Sequence, residues 1–386
     1  MPERLGPLRT ASAARVVGVA ALLGLALYVP FYFERATLSI FVLVGAAMVG
    51  AMGLNILLGF TGQLSLAQPF FLAIGAVGYS FLAGQSSGSG DSYQGGLGWP
   101  PLLAAVVAAA LSGMAGIAFS PIAGRLRGIY LGIASLGLVF VAQHLLFNWR
   151  TVTGGFNGRL VPEFDVAGLS FKDTHPVSYL LGIPFGRLER LWYLDVLVVA
   201  LAYLFARNVV RGRPGLALQA IRDAELAASA MGVNLARQRA YAFGLSSVYA
   251  GVAGVLLALA NGSIVPETFG FTVAIDYLAM VVIGGVGSLV GSCVGAAFVV
   301  ALPLVLQNNI DSLSFVAKPD ESGIQAAEWA NFAYAAAVVL VLLFEERGVA
   351  GLTRRALGRV LSGRPNLPSV DPPRPPAVTT TPATDD

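Results

Sequence analysis

The sequence predicts an all-α fold, a polytopic bundle of membrane-spanning helices with about eight full spans plus a short or re-entrant helix pair, up to about ten crossings. Three observations lead there. Of the 386 residues 56% are hydrophobic and only 12% charged, and the mean hydropathy is +0.73, which is more apolar surface than a soluble core can use. Apolar runs above about 17 residues recur along the chain, where a membrane β-barrel would show alternating strands of about ten. One polar stretch, Arg211 to Gly232 (RGRPGLALQAIRDAELAASAMG), interrupts those runs and is too charged to lie in lipid.

In chain order, spans are predicted at Arg15–Phe33, Ala36–Gly59, Pro69–Gly84, Trp99–Gly124, Gly128–Asn148, Leu191–Ala206, Ala240–Ala260 and Ala327–Phe344. The first resembles a signal sequence, but a second span follows closely, so residues 1–35 read as an uncleaved N-terminal anchor. Arg4, Arg9 and Arg15, then Arg125 and Arg127, then Arg207 to Arg239 and finally Arg347 to Arg374 fall on one side if the spans alternate. Positive charge marks that side as cytoplasmic, and both termini with it. The main transmembrane region is thus 36–345, with an outer loop at 149–190 and a cytoplasmic loop at 207–239. The cytoplasmic tail, 346–386, is Pro- and Thr-rich and is expected to be disordered beyond about residue 363.

Parity bears on the segment Asp276–Gln307. After the span ending at Ala260 the chain is outside, and the last span must end inside near Glu345–Arg347, so this segment has to leave the outer face and return to it. About 32 residues at a rise of about 1.5 Å do not make two full-length helices and a loop. Two short crossings, or a re-entrant pair, are therefore expected, hinged at the glycines of IGGVGSLVG. A similar interruption, GFTGQLSLAQP at Gly59–Pro69, separates two earlier spans, and Gly-interrupted segments in both halves point to a substrate path near the midplane.

Most chemistry is excluded. One cysteine, Cys293, permits no disulfide within the chain, and with His144 and His175 it makes no zinc site of the usual kind. The net charge of +3, spread over loops, argues against a nucleic-acid partner. The only lysines, Lys172 and Lys318, precede Asp173 and Pro319, so there is no Gly-Lys-Ser/Thr phosphate loop to bind ATP. Ion coupling usually leaves ionisable groups inside spans, yet none lies between Ala36 and Gly90, and Asp195 and Asp276 fall near predicted span ends. No enzyme activity, cofactor or metal is expected, and a transport subunit driven by a separate ATPase fits best.

Gln63, Ser65 and Gln68 would be costly in lipid and should face protein or water, which both a tight inter-span turn and the lining of a substrate path would satisfy. Gly287, Gly291 and Gly295 recur at four-residue spacing and are expected on one helical face, for close packing. TGGFNG reads as a turn with glycines at positive φ, and His144 as a helix-end residue. Ala228 and Gly232, also four apart, should share one face of a short helix over Ala220–Gly232, for which a solvated surface segment is the plainer reading.

GFTGQLSLAQ, LRGIYLGI, TGGFNG and AIRDAELAASAMG, in that order, carry a resemblance. Over roughly residues 36–345 the sequence resembles the longer permease subunit of branched-chain amino-acid ATP-binding-cassette importers. The resemblance implies an ATPase-coupling helix containing Ile221, Arg222, Asp223, Glu225, Ala227, Ala228 and Gly232. Ala227, Ala228 and Gly232 match the Ala-Ala-x-x-x-Gly part of the general coupling loop, whose later Leu-Pro is absent here. It further implies a second permease, two cytoplasmic ATPase subunits that bind ATP and Mg, an extracytoplasmic substrate-binding protein and a place in the cell inner membrane. The implied substrates are leucine, isoleucine and valine, their carboxylate held by the positive end of a broken half-helix without a fixed arginine. Urea, amides or another small amino acid stay open as substrates. So does a different class, an ion-coupled secondary transporter, which the scarcity of intramembrane charge disfavours.

Overall fold

The computed structural model of the chain describes residues 28–310 except 88–92, 127, 167–168, 171–178, 181–182 and 185, together with isolated positions at 24, 26, 332, 335, 336 and 339. The helices are α1 (Arg35–Thr61), α2 (Gln68–Ala83), α3 (Pro101–Arg125), α4 (Ile129–Asn148), α5 (Arg187–Arg211), α6 (Arg213–Asp223), α7 (Glu225–Ala230), α8 (Leu235–Asn261), α9 (Phe271–Gly284) and α10 (Leu289–Ile310), with a one-turn helix at Arg150–Thr153. Among the described residues six helices are long and apolar enough to cross a membrane: α1, α3, α4, α5, α8 and α10. The expected Pro69–Gly84 span is a 16-residue helix, roughly 24 Å long against a hydrocarbon core of about 30 Å. Eight full spans are thus not confirmed among the described residues. The predicted Ala327–Phe344 span, most of Arg15–Phe33 and the tail lie outside the described residues.

Local chemistry sets the boundaries. Gly62 adopts a left-handed conformation that ends α1, its N–H bonding the Leu58 carbonyl. Pro69 opens α2 and Pro101 opens α3, where the missing proline N–H has no intrahelical acceptor to lose. Asn234 caps α8 by accepting from the Arg237 N–H at 3.0 Å.

The bundle is built around α1 and α8, whose central windows are 83% and 78% buried, against 17–39% for α3, α4, α5 and α10. Helix α8 packs on α3, α1 and α2, while α1 also meets α5 and α10. Backbones approach through small residues: a methyl on Gly254 of α8 would collide with the Leu72 carbonyl of α2, and one on Gly75 would collide with Gly251. Ser112 of α3 donates within reach of both Phe71 O (3.0 Å) and Ser247 O (2.7 Å), stitching three helices together. Outward faces of α3, α4 and α5 expose Leu102, Val106, Ile133, Phe140, Leu197 and Leu201, as helices facing lipid do.

The expected hairpin is present but unequal. A turn at residues 285–288, inside IGGVGSLVG, joins the 14-residue α9 to the 22-residue α10, so one arm is short and the other is full length. Gly287 does not share a helical face with Gly291 and Gly295. It sits in the turn at φ 82°, while the other two lie in α10 against Gly284 and the Met280 carbonyl of α9.

Helix α5 also departs from expectation. Its charged ends, Arg187 to Arg190 and Arg207 to Arg211, continue the helix beyond the apolar run. Asp195 consequently lies in the third turn rather than near an end, 1% exposed, with its carboxylate filling the place where a Gly45 side chain would be.

Candidate coupling and translocation site

One end of the bundle gathers the α1–α2 loop, the end of α3, helices α6 and α7, the start of α8 and the α9–α10 turn. Pro214 starts α6, and its inward residues Leu218 and Ile221 are buried. Leu218 shares a core with Leu57 and Phe60 of α1 and Leu289 of α10. The anticipated single helix over Ala220–Gly232 is two helices: Ala224, at φ −156° and ψ 91°, breaks it. Gly232 lies past the end of α7 at φ 85°, letting Gly232 N–H reach Ser229 O and Val233 N–H reach Ala228 O, both at 3.0 Å. Ala228 and Gly232 therefore do not share a helix face, because the chain uses the glycine to stop the helix.

The charged residues divide by role. Arg222 donates from Nη1 to the Gly59 carbonyl in the last turn of α1, and its stem passes Gly62. Glu225 pairs with Arg239 (Oε1 to Nη2, 2.6 Å), and Arg239 Nη1 donates to Gly124 O at 2.9 Å near the end of α3. A partly exposed pair of this sort stabilises by about 1 kcal/mol at most, so its effect is chiefly to fix the angle of α7. Asp223 and Ala227 are exposed and Ala228 is buried. Beside Ala227 stand two large apolar side chains in the open, Leu226 at 85% and Met231 at 86% exposure. Sequence reasoning passed over both, although apolar residues inside a charged stretch were a visible signal.

Gln63, Ser65 and Gln68 do not share one wall. Gln63 lines a cavity of about 270 Å³ together with Arg222, Glu225, Arg239, Gly128 and Leu131, and its Oε1 is buried without a hydrogen-bond partner among the described residues. Ser65 is buried in its own turn, accepting from Ala67 N–H at 3.4 Å. Gln68 is buried and donates to Gly50 O of α1 at 2.9 Å.

A further polar residue was missed. Asn55 is wholly buried in α1, accepting from Gly287 N–H at 2.8 Å and donating toward Ser288 O at 2.9 Å and Ser292 Oγ at 2.5 Å. It holds the α9–α10 turn against α1, one helical turn above Gly59, where Arg222 bonds. A lone amide in an apolar span is costly unless paired, and that was the signal.

At the opposite end the TGGFNG segment forms the expected turn, with Gly154, Gly155 and Gly158 at φ 80°, 64° and 71°. Arg159, directly after it, is buried beside a second cavity. His144, near the end of α4, has its carbonyl bonded by Asn148 Nδ2 at 2.8 Å.

Long apolar helices packed through glycines, with a braced pair of short polar helices at one end, define a helical membrane protein. The chain belongs to the family described as branched-chain amino acid transport system / permease component, whose profile matches residues 36–344. It is 34% identical over 280 residues to the high-affinity branched-chain amino acid transport system permease protein LivM of Escherichia coli (strain K12), covering 69% of this chain and 63% of that protein. It is 33% identical, with the same coverage, to LivM of Salmonella typhimurium. LivH of E. coli is 25% identical over 312 residues, 78% of this chain and 90% of LivH. The matched part thus spans a little under two thirds of the LivM relatives. No solved structure matches the chain.

Proposed function

We propose that this chain is the membrane permease subunit of an ATP-binding-cassette importer for the branched-chain amino acids leucine, isoleucine and valine. It does no chemistry itself. Its partners are a second permease, two cytoplasmic ATPases that bind ATP and Mg, and an extracytoplasmic binding protein that sets most of the substrate preference. It sits in the cell inner membrane with the Arg222 end in the cytoplasm.

The observation that carries this reading is the exposed apolar pair formed by Leu226 on α7 and Met231 just past its end, with α7 braced by Glu225–Arg239. Burying two such side chains in a partner's groove stabilises an interface by roughly 1.5–3 kcal/mol each. Movement of α6 and α7 has a route inward: Leu218 is packed on α1 and α10, Arg222 holds Gly59, and Asn55 holds the α9–α10 turn. When the ATPases close, α6 pulls the end of α1 and the turn together. The short α2 and α9, with the loops at 62–67 and 285–288, then reshape the path. In this reading Gln63, in the cavity it shares with Arg222 and Arg239, senses that movement, and Ser65 and Gln68 brace the wall of the path through their buried hydrogen bonds.

The test is the double substitution Leu226→Glu/Met231→Glu in the assembled complex. Recruitment of the ATPases and ATP-driven leucine uptake should both fall at least about tenfold while the second permease stays bound. Normal recruitment in that variant means that α7 is a solvated segment.

Asp195 favours one second reading, ion-coupled transport by this chain alone, because a carboxyl buried inside a span is retained at a cost. That reading requires gradient-driven uptake without ATPases and its loss in Asp195→Asn. The importer reading requires that Asp195→Asn keep ATP-driven uptake.

A further inference from the structure

The bundle end opposite Arg222 holds a cavity of about 570 Å³, within the range of about 300–1,000 Å³ usual for small-molecule sites. Three pieces of chain frame it. The strand Arg159–Leu160 pairs antiparallel with Ser263–Ile264 beyond α8. Ser80 and Tyr79 of α2 donate to Leu160 O and Pro162 O, each at 3.2 Å, and Gln94 donates to Gly158 O at 3.2 Å. The walls are thereby fixed to the ends of the two helices.

Among the described residues Arg159 is the only charged one in the lining, and it is 4% exposed. Its described contacts are a hydrogen bond from Nη1 to Val152 O at 3.1 Å and a guanidinium 5.8 Å from the centre of the Phe81 ring, with Nη2 lying against Gly84. No carboxylate lines the cavity among the described residues. Burial lowers the proton affinity of Arg159, yet a guanidinium stays charged at neutral pH, so the site holds a desolvated cation with donors to spare. Such a cation calls for an anion. The C-terminal end of α2 at Gly84 carries partial negative charge suited to an ammonium group, and Leu160, Val161 and Pro162 supply apolar wall. Cation, helix end and apolar wall together match a zwitterion with an aliphatic side chain.

We propose that this cavity receives a small zwitterionic amino acid on its way into the bundle, with the substrate carboxylate held by Arg159. The inference rests on the importer reading for its direction of use. It replaces the expectation that no fixed arginine would serve the carboxylate, and it gives the TGGFNG turn a task, since Gly154 and Gly158 shape the segment that delivers Arg159.

The experiment uses the assembled importer in proteoliposomes, in a Cys293→Ser background, with Ser263→Cys as a reporter in the cavity wall. A small thiol reagent applied from the binding-protein side alkylates the introduced cysteine. L-leucine at about ten times its dissociation constant should slow alkylation roughly tenfold, following 1 + [L]/Kd, whereas L-leucinamide, which lacks the carboxylate, should not. Arg159→Gln should abolish the difference between the two ligands and Arg159→Lys should keep part of it, which a merely structural arginine would not do. Should Ser263→Cys fail to assemble, Ser87→Cys, also in the lining, takes its place. Equal protection by leucine and leucinamide, or protection that survives in Arg159→Gln, overturns the proposal. Uptake of leucine without any protection also overturns it and leaves the importer reading standing. Absence of ATP-driven leucine uptake in the unsubstituted protein instead sinks the importer reading.

Discussion

Replacing Asn55 probes the link between the Arg222 end of α1 and the α9–α10 turn. Asn55→Ala deprives Gly287 N–H of its acceptor, and Ser288 O and Ser292 Oγ of their donor. Interhelical hydrogen bonds in membrane proteins average about 0.6 kcal/mol, so three lost contacts cost about 2 kcal/mol. The cost rises to about 4 kcal/mol if the backbone groups stay unhydrated, since each buried unpaired group is worth about 1–3 kcal/mol. Gly287 and Ser288 are only half-buried, which favours the lower figure. At about 2 °C per kcal/mol the purified complex should melt about 4 °C lower, with ATP hydrolysis persisting but yielding less uptake per ATP. Asn55→Leu keeps the branched shape, somewhat larger and without the polar atoms, and should be no better than Asn55→Ala. Melting within about 1 °C of the unsubstituted protein, with normal coupling, would refute the claim that this amide holds the turn. Recovery in Asn55→Leu would show that volume alone matters there.

A contact, a backbone conformation and the alternation of spans each give a further expectation. Gly45→Ala should destabilise the bundle by colliding with the Asp195 carboxylate, and adding Asp195→Ala should recover most of the loss; strictly additive effects in the double-mutant cycle would contradict that contact. At Gly232 space is open but φ is positive, so Gly232→Ala should weaken ATPase association through backbone strain of about 1–2 kcal/mol, and Gly232→Asn should be milder, as measured by co-purification. Cysteines at Arg125 and Arg222 should label from the cytoplasm and those at Tyr93 and Phe156 from outside, and labelling of 93 and 222 from one face would break the alternation of spans.

Much of the bundle was legible because long apolar runs and glycine-marked breaks have direct physical causes. The IGGVGSLVG hinge appeared where the glycines stood, since the turn needs a left-handed residue at Gly287. The reading erred where tertiary structure overrode the apolar count. Helix α5 runs through charged flanks that bulk hydropathy excludes, which carried Asp195 into the core. At the Arg222 end the sequence marked a charged stretch, but the geometry of that stretch was not legible. A four-residue spacing suggested one helix, but the backbone breaks at Ala224 and Gly232 serves as a stop. Arg159 went unread because the glycines before it explained themselves as a turn, and only the folded chain brings that turn to the end of α2.

The most direct test of the account is ATP-driven uptake of radiolabelled leucine by proteoliposomes holding this chain, its partner permease and both ATPases, with the binding protein added outside. The account predicts uptake that needs all components and fails in Leu226→Glu/Met231→Glu through loss of the ATPases. Leucine uptake by this chain alone, driven by an ion gradient and unchanged by that double substitution, would contradict it.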